Sequence, residues 1–315
     1  MLSDILTSDL FLNTAMLERL IRFLAASMWK RKHGRVLAVF NYHQVSPVFD
    51  ARYQSEHTWT SLERFRTEIE FIKSYFQILP LPEAIDRLNR HELKGIHAAI
   101  TFDDGDISMQ QHVLPLLKEM GVPASFFVNT AYGKGRYYWF PVFNFLQRAD
   151  DAKISELLTP QLKERIGQLR KTNDAKLYEQ VRSEIEALSG HVDERQPLLV
   201  GDDWLSSLDG EQFTLGAHGH EHQRHSMMPA AWQADNLRKN AEILRQYRAY
   251  RPIFALPFGR YYDWDNTSLK IAIDQGHTLL TADGGINQFR DAQIRRIPAD
   301  SRDVKATFAR EIVGW

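Results

Sequence analysis

The stretch AAITFDDG, residues 98–105, decides the fold class of this 315-residue chain. Its first five residues predict the clearest strand of the sequence, and the strand runs directly into Asp103, Asp104 and Gly105. Two adjacent carboxylates at a strand end repel each other unless a cation or a proton relieves the repulsion. Adjacent residues that leave a strand point in different directions, so one could bind a metal while the other faces a substrate. Taken alone, the same three residues are also compatible with a turn that caps a helix.

Strand and helix patterns alternate on both sides of this stretch. Residues 62–75, for example, carry apolar side chains at helical spacing between two predicted strands. About seven strands that alternate with helices predict an α/β fold, in which parallel strands form a (β/α) barrel. The predicted strands are residues 36–42, 76–79, 98–102, 124–128, 213–217, 253–256, 278–281 and 294–297.

Residues 136–212 interrupt the alternation. Glycine is sparse there, and a helical pattern rich in charged residues continues through residues 160–188. This pattern predicts a helical insertion rather than a linker. The predicted organisation is therefore one catalytic domain over residues 33–315 with an insertion at about 136–212, preceded by a separate segment at residues 1–32.

The N-terminal segment lacks the positive charge and the apolar run of a signal peptide, because residues 1–13 contain Asp4 and Asp9 but no Lys or Arg. No apolar run is long enough to span a bilayer, so a cytoplasmic location is expected. Residues 14–32 have the pattern of an amphipathic helix. Such a helix could pack on the outside of the barrel, or it could make peripheral contact with the inner face of the membrane.

Charge and cysteine content narrow the possible chemistry. The chain has 39 basic and 40 acidic residues, and this balance gives no basic field for binding nucleic acid. It contains no cysteine, which excludes disulfides and thiolate ligands. Any bound metal must therefore be held by His, Asp or Glu.

Seven conspicuous residues share one kind of position, at or just past the C-terminal end of a predicted strand. In a (β/α) barrel, the active site is built on that rim. These residues are His43, Asp103, Asp104, His218, Phe258, Asp283 and Arg296.

The sequence GAHGHEHQRH, residues 216–225, concentrates four histidines. His218 and His222 are four residues apart, so one helical turn would bring both imidazoles to the same side of a metal. Two histidines and one carboxylate make a normal zinc site with open positions. A solvated His-rich loop is the alternative, and we expect His220 and His225 to take that role.

In their order and spacing, TFDDG at 101–105, GAHGHEH at 216–222 and FALPFG at 254–259 resemble the successive motifs of the polysaccharide deacetylases, the NodB-homology or carbohydrate esterase 4 family. The resemblance extends from YHQV at 42–45 to RIP at 296–298. It implies a distorted, incomplete (β/α) barrel. It also implies a metal-dependent hydrolase that removes an N-acetyl group from an amino sugar, in a polysaccharide, a glycolipid or a lipid- or nucleotide-linked precursor.

The resemblance also implies a role for individual residues. Asp103 is the implied general base, and Asp104, His218 and His222 are the implied ligands of a divalent metal. Zinc is the first expectation for that metal, with nickel, cobalt, manganese or iron as alternatives. The backbone N–H of Phe258 stands where the family stabilises the oxyanion.

Two departures from the family pattern affect the catalytic groups. Many members have an arginine at the position of Ala255, and we expect Arg296 to replace it, unless Arg296 forms only a surface ion pair. The C-terminal Leu-x-His motif that commonly supplies the general acid is missing, and His43 is the replacement we expect, unless it is a buried structural histidine. Asp283 could orient a histidine or make a turn with its glycines.

Two other functions stay open at this point. The missing general-acid motif would suit a catalytically inactive, carbohydrate-binding barrel, whereas the intact acidic pair and histidine pair argue against it. The same chemistry could also act on another amide, as in a deformylase or amidase. The expected partner is an N-acetylated sugar, on which the aromatic residues 137–140 could stack, unless they belong to a core.

Overall fold

A computed structural model describes residues 35–50, 54–131, 159–169, 174–188, 199–289, 291–300 and 304–307. The strands are β1 (Arg35–Tyr42), β2 (Gln44–Ser46), β3 (Trp59–Ser61), β4 (Gln77–Ile78), β5 (Gly95–Phe102), β6 (Ala124–Val128), β7 (Phe213–Ala217), β8 (Tyr250–Ala255), β9 (Thr278–Thr281), β10 (Ile294–Arg295) and β11 (Ile297–Pro298). The α-helices are α1 (Leu62–Tyr75), α2 (Leu81–Asn89), α3 (Leu114–Met120), α4 (Pro160–Leu169), α5 (Ala175–Ala187), α6 (Asp202–Ser207), α7 (Ala230–Leu244), α8 (Asn266–Asp274) and α9 (Val304–Thr307).

Nine parallel strands form the central sheet in the order β10-β9-β8-β7-β6-β5-β1-β11, with β4 beside β5. The sheet curls into a nearly closed barrel with helices around it, which confirms the predicted distorted (β/α) barrel. The sheet has more strands than the approximate number predicted because β4, β10 and β11 are only two residues long. The short pair β2 and β3 forms a separate two-stranded sheet, and a strand of two or three residues is too short to show a period.

The predicted strand at 294–297 is in fact two short strands, and together they bring the ends of the sheet towards each other. β10 pairs with β9, whereas β11 pairs with β1 on the opposite edge. Arg296 lies between them, where its N–H donates to the Thr281 carbonyl at 2.9 Å and its carbonyl accepts from the N–H of Gly284 at 3.0 Å. Arg296 therefore sits at the seam of the barrel.

Side chains alternate between the barrel interior and the layer under the outer helices. Leu37, Val39 and Phe127 belong to the inner cluster, whereas neighbouring strand residues such as Phe40 and Phe126 belong to the outer one. Apolar residues of α2 join the inner cluster, so α2 closes the end of the barrel where β1 and β5 begin. This end is a packed core.

Interior positions become polar towards the C-terminal ends of the strands. Thr101 donates its hydroxyl to the side chain of Asn41 at 2.9 Å. The hydroxyls of Ser125 and Thr214 form a hydrogen bond of 2.6 Å between β6 and β7. Buried polar groups are stable only when they are hydrogen-bonded in this way. The interior near the rim therefore contains hydrogen-bonding groups that can stabilise charged residues.

Part of the predicted insertion lies among the described residues. The helical character predicted at 160–188 is found in two helices, α4 and α5, which pack against each other. The outer bounds of the insertion stay a prediction. The predicted N-terminal helix at 14–32 and the aromatic residues 137–140 lie outside the described residues.

Within the described ranges, no helix combines the length and the apolar character needed to cross a membrane.

Gly216 of β7 lies at a tight point of the barrel interior. A Cβ atom there would lie 2.2 Å from Cε1 of Phe127 and 2.9 Å from the Ile253 carbonyl. Real Cβ atoms do not approach other atoms so closely, and the Phe127 ring is fully buried. Packing therefore requires glycine at position 216, two residues before His218.

We expect Gly216→Ala to lower the free energy of unfolding by about 3 kcal/mol, because overpacking forces the ring or the strand to move. Gly167→Ala is the matched control, since Gly167 lies in α4 with open space around it. That change should be neutral or stabilising by up to about 1 kcal/mol through helix propensity. Denaturant titrations measure both, and equal stability of the two variants would contradict the packing argument.

Candidate active site

The three predicted metal ligands converge at the rim. Nε2 of His218 lies 3.1 Å from Oδ1 of Asp104, and Nε2 of His222 lies 3.3 Å from the same oxygen. The three donor atoms all lie within 4.8 Å of one another, and both histidines are buried. The structure thus brings together residues that are 114 and 118 positions apart in the sequence.

The donor set fits a divalent ion. Ligands bound tetrahedrally at 2.0–2.2 Å are separated by about 3.4 Å, close to the two distances from Asp104. Nδ1 of His218 lies 2.8 Å from the Ala255 carbonyl, to which it can donate, so Nε2 is left as the ligand atom. Burial raises the pKa of Asp104, but hydrogen bonds from His218 and His222 hold that pKa well below its ordinary value. A carboxylate and imidazole nitrogens are the donors that zinc accepts.

The predicted helical turn between the two histidines was wrong. β7 ends at Ala217, and residues 218–222 form a loop in which Gly219 has a φ of 80°. This left-handed conformation, which glycine adopts readily, is incompatible with a right-handed helix. Asn236 of α7 holds the loop by accepting hydrogen bonds from the N–H groups of His220 and Glu221.

The other two histidines of this segment contact different groups. His220 forms a hydrogen bond of 2.9 Å with the hydroxyl of Thr130. His225 is buried between Trp232 and Phe254, with ring centroids 5.9 and 5.3 Å away. Burial lowers the pKa of His225 to about 4, so it is a neutral core residue. Neither histidine belongs to the three-residue cluster.

Asp103 and Arg296 form a bidentate ion pair inside the barrel. Nη1 of Arg296 lies 2.7 Å from Oδ1 of Asp103, and Nη2 lies 2.8 Å from Oδ2. Arg296 is 0% exposed, which excludes the alternative of a surface ion pair. Burial raises the pKa of Asp103, but the charge of Arg296 outweighs this effect and holds the pKa below its ordinary value. The carboxylate next to the metal ligand is thus kept ionised.

Asn41 is a member of this network that sequence reasoning missed. Its Nδ2 donates to Oδ2 of Asp103 at 3.1 Å, and its Oδ1 accepts from Nη1 of Arg296 at 2.8 Å. Asn41 therefore fixes both partners of the ion pair. The sequence does contain a sign of this role, because Asn41 is a polar residue that interrupts the apolar run of β1 at an inward-facing position.

His43 is the next rim residue, and it is oriented by Asp300. Nδ1 of His43 lies 2.6 Å from Oδ2 of Asp300, whose Oδ1 accepts the hydroxyl of Thr60 at 2.9 Å. Burial lowers the pKa of His43, but the hydrogen bond and charge of Asp300 outweigh it and raise that pKa to about 9. The suggestion that Asp283 orients a histidine is not supported, since Asp300 takes that position.

Nε2 of His43 lies 3.9 Å from Oδ2 of Asp103. His43 thus lies beside the carboxylate of Asp103. The reason is that β1 and β5 are neighbours in register, with Tyr42 opposite Phe102, so the residues that follow them emerge together. Asp300 could have been found by the same rule, because it closely follows β11.

Phe258 lies in a strained turn after β8. Its φ is 61°, unusual for a residue with a side chain, and the N–H of Gly259 folds back to the Pro257 carbonyl at 2.7 Å. The Phe258 ring packs edge-on against His222, with centroids 4.7 Å apart. Among the described residues, no acceptor receives the Phe258 N–H. Strain of this kind is concentrated at functional sites.

Barrel and rim together define a site in which three potential metal ligands lie next to a buried carboxylate that is paired with an arginine. A model of the polysaccharide deacetylase family matches residues 90–280, which is more than half of the chain. The chain belongs to the polysaccharide deacetylase family. This membership confirms the family resemblance seen in the sequence and supports a deacetylase that acts on carbohydrate.

Solved structures of deacetylases share the fold. The deacetylase PplD of Streptococcus pyogenes, solved in complex with acetate, is 14% identical with a TM-score of 0.59 over 89% of this chain and 99% of that chain. A de-N-acetylase from Aggregatibacter actinomycetemcomitans is 15% identical with a TM-score of 0.57 over 86% and 99%. IcaB from Ammonifex degensii is 17% identical with a TM-score of 0.54 over 87% and 97%. Among curated proteins, none is similar enough in sequence to count as a relative.

We expect Asp104→Asn and His218→Ala to lose bound divalent metal, because each removes one of three donors. Asp103→Asn should retain the metal, since Asp103 is paired with Arg296 and is not a member of the donor cluster. His220→Ala is the control for removal of a nearby imidazole. Metal content per chain after purification and dialysis decides the matter, and equal loss in Asp103→Asn and Asp104→Asn would show that the division of roles is wrong.

Proposed function

We propose that this protein is a divalent-metal-dependent N-deacetylase that converts an N-acetylated amino sugar in a glycan or glycan precursor to acetate and a free amine. The observation that carries the proposal is that two adjacent carboxylates have different kinds of partner. Asp104 faces two imidazoles, whereas Asp103 faces a guanidinium. One carboxylate is thus set up as a ligand and the other as a base.

A divalent ion held by Asp104, His218 and His222 would supply polarisation of the acetyl carbonyl and acidification of a water molecule. Asp103 then accepts the proton of the attacking water, for which it must be ionised. Arg296 and Asn41 keep it ionised and fix its orientation. Because these hydrogen bonds already fix the Asp103 carboxylate, it needs no reorganisation when the substrate binds.

The N–H of Phe258 is proposed to donate to the acetyl oxygen as negative charge develops on it. Two facts support this role: the group has no acceptor among the described residues, and the Phe258 ring lies against the metal ligand His222. A fixed backbone donor at this point costs no reorganisation during the reaction. Removal of one such donor in other hydrolases typically costs about 10²–10³-fold in rate.

His43 is proposed to protonate the leaving amine. Asp300 accepts from Nδ1, which leaves Nε2 directed towards Asp103 and the rim. A raised pKa keeps the imidazole protonated at neutral pH, as a general acid requires. Asp300 is only 4% exposed, so its hydrogen bond with His43 fixes the imidazole in a position shielded from water.

The direct test of the proposal is product release from a panel of N-acetylated sugars by metal-loaded protein. We expect acetate from at least one amino sugar, with Asp103→Asn slower by about 10²–10⁴-fold because its amide cannot accept a proton. Formate release from N-formyl sugars is measured in parallel. Preference for the formyl compounds, or equal rates for wild type and Asp103→Asn, would contradict the proposal.

A second prediction concerns His43 and its partner. In His43→Ala, amide hydrolysis should fall sharply, whereas hydrolysis of an acetyl ester with a good leaving group should change much less, because that product needs no protonation. Metal content should be unchanged. Equal losses on amide and ester would make His43 structural.

Asp300→Asn should shift the alkaline limb of the amide pH–rate profile to lower pH. Asp300 stabilises the protonated form of His43, and the nearby carboxylates Asp103 and Asp104 act in the same direction. Removal of one of these charges therefore makes His43 lose its proton at a lower pH. Thr60→Val, which removes the hydroxyl on the far side of Asp300, is the control and should shift the limb much less.

A further inference from the structure

Tyr261 and Tyr262 form the most exposed aromatic pair in the described part of the chain. Tyr261 is 78% exposed and Tyr262 is 41% exposed, and their rings meet edge to face with centroids 5.1 Å apart. We call this pair the tyrosine platform. Exposed aromatic rings lose hydrophobic stabilisation, so a pair that is kept on the surface in a fixed arrangement indicates a binding surface.

The backbone beneath the platform is held by the buried carboxylate of Asp263. Its Oδ2 accepts from the N–H of Arg260 at 3.0 Å, and its own N–H donates to the Arg260 carbonyl at 2.7 Å, which closes the turn. Ser226 ties the turn to the neighbouring loop by donating its hydroxyl to the Tyr262 carbonyl at 2.8 Å. The two rings are therefore presented by an anchored turn rather than by a loose loop.

A continuous series of contacts connects the platform to the metal ligands. The Phe258 ring packs against His222, and the guanidinium of Arg224 lies 5.6 Å from the Phe258 centroid. The same guanidinium lies 5.7 Å from the centroid of Tyr262. The platform thus continues the wall of the site on the side of the proposed oxyanion donor.

The chemistry of this wall suits a sugar ring. A pyranose presents C–H groups on its faces and hydroxyls at its edge, so it needs an exposed aromatic face with hydrogen-bond donors beside it. The platform supplies the aromatic face, and the guanidinium of Arg224 supplies donors. The charge of Arg224 is matched by Asp263, whose Oδ1 lies 2.7 Å from Nε.

We propose that the tyrosine platform is a subsite for a second, neutral pyranose ring of the substrate, next to the ring that carries the acetamide. This inference rests on the proposed deacetylase function and narrows its substrate class. The preferred substrate is then a glycan of two or more sugar rings rather than a single amino sugar.

Binding is measured by calorimetry with metal-loaded Asp103→Asn protein, which does not consume the ligand. The probes are N-acetylglucosamine and its oligomers of two to six rings in several linkages. We expect the affinity to rise with ring number, and Tyr261→Ala to lower it about tenfold for the oligomers but not for the monosaccharide. Tyr261→Phe keeps the ring and should restore the affinity. Ile273→Ala, at an exposed apolar residue of α8, is the surface control.

Kinetics with otherwise wild-type protein provide the second arm. Tyr261→Ala should raise KM for oligomers, leave kcat nearly unchanged and leave hydrolysis of a small acetyl ester unaffected. If Tyr261→Ala abolished length-dependent binding while no oligomer released acetate, the subsite would stand and the proposed function would fail.

Four outcomes would overturn the subsite. The first is an equal oligomer affinity in wild type and Tyr261→Ala. The second is a loss that Tyr261→Phe does not restore. The third is an affinity that falls steeply with salt and is lost equally in Arg260→Ala, which would indicate recognition of a charged group. Absence of any oligomer binding would overturn it as well.

Discussion

The buried ion pair of Asp103 and Arg296 is the interaction on which the site depends. Removing two charges from water is costly, and a pair inside a barrel is stable only with good geometry and further hydrogen bonds. Here both conditions are met, because the pair is bidentate and Asn41 bonds to each partner. The Phe127 ring lies 5.6 Å from the guanidinium carbon. Loss of either charge would leave the other buried and uncompensated.

This pair also links catalysis to closure of the barrel. Asp103 follows β5, whereas Arg296 lies at the junction of β10 and β11, almost two hundred residues later. The two side chains meet only because β11 pairs with β1, which in turn pairs with β5. A barrel with an open seam would lack the guanidinium beside Asp103, whose charge opposes the rise in pKa that burial causes in this carboxyl. The proposed general base is thus held in its ionised form only in the fully assembled fold.

Much of this arrangement could be predicted from the sequence, because two strong regularities govern it. Buried strands such as residues 98–102 are recognisable from apolar runs, and the C-terminal ends of parallel strands share one rim. These rules place Asp103, Asp104 and His218 together without any coordinates. Arg296 was also expected near Asp103, because this chain has Ala255 where many members of the family have an arginine.

The remaining features depend on information that is not local in the sequence. The loop between His218 and His222 takes its shape from Asn236, which lies on a helix that follows. Strands of two residues, such as β10 and β11, are defined by their partners and have no pattern of their own. Asp300 was missed as the partner of His43 because 257 residues separate the two. Sequence patterns identified the groups at the rim, whereas pairing across the barrel determined which of them meet.

A barrel can depart from its family pattern at individual positions and still bring the proposed catalytic groups together. A barrel rim is a ring, so a side chain can reach the centre from any strand end with a suitable direction. A guanidinium from the seam occupies the place of one from β8, where Ala255 instead offers its carbonyl to His218. An imidazole after β1, held by the carboxylate of Asp300, is the proposed general acid. The proposed reaction requires that a base, an acid and three metal donors converge on one point. Side chains from several different strand ends can meet this requirement.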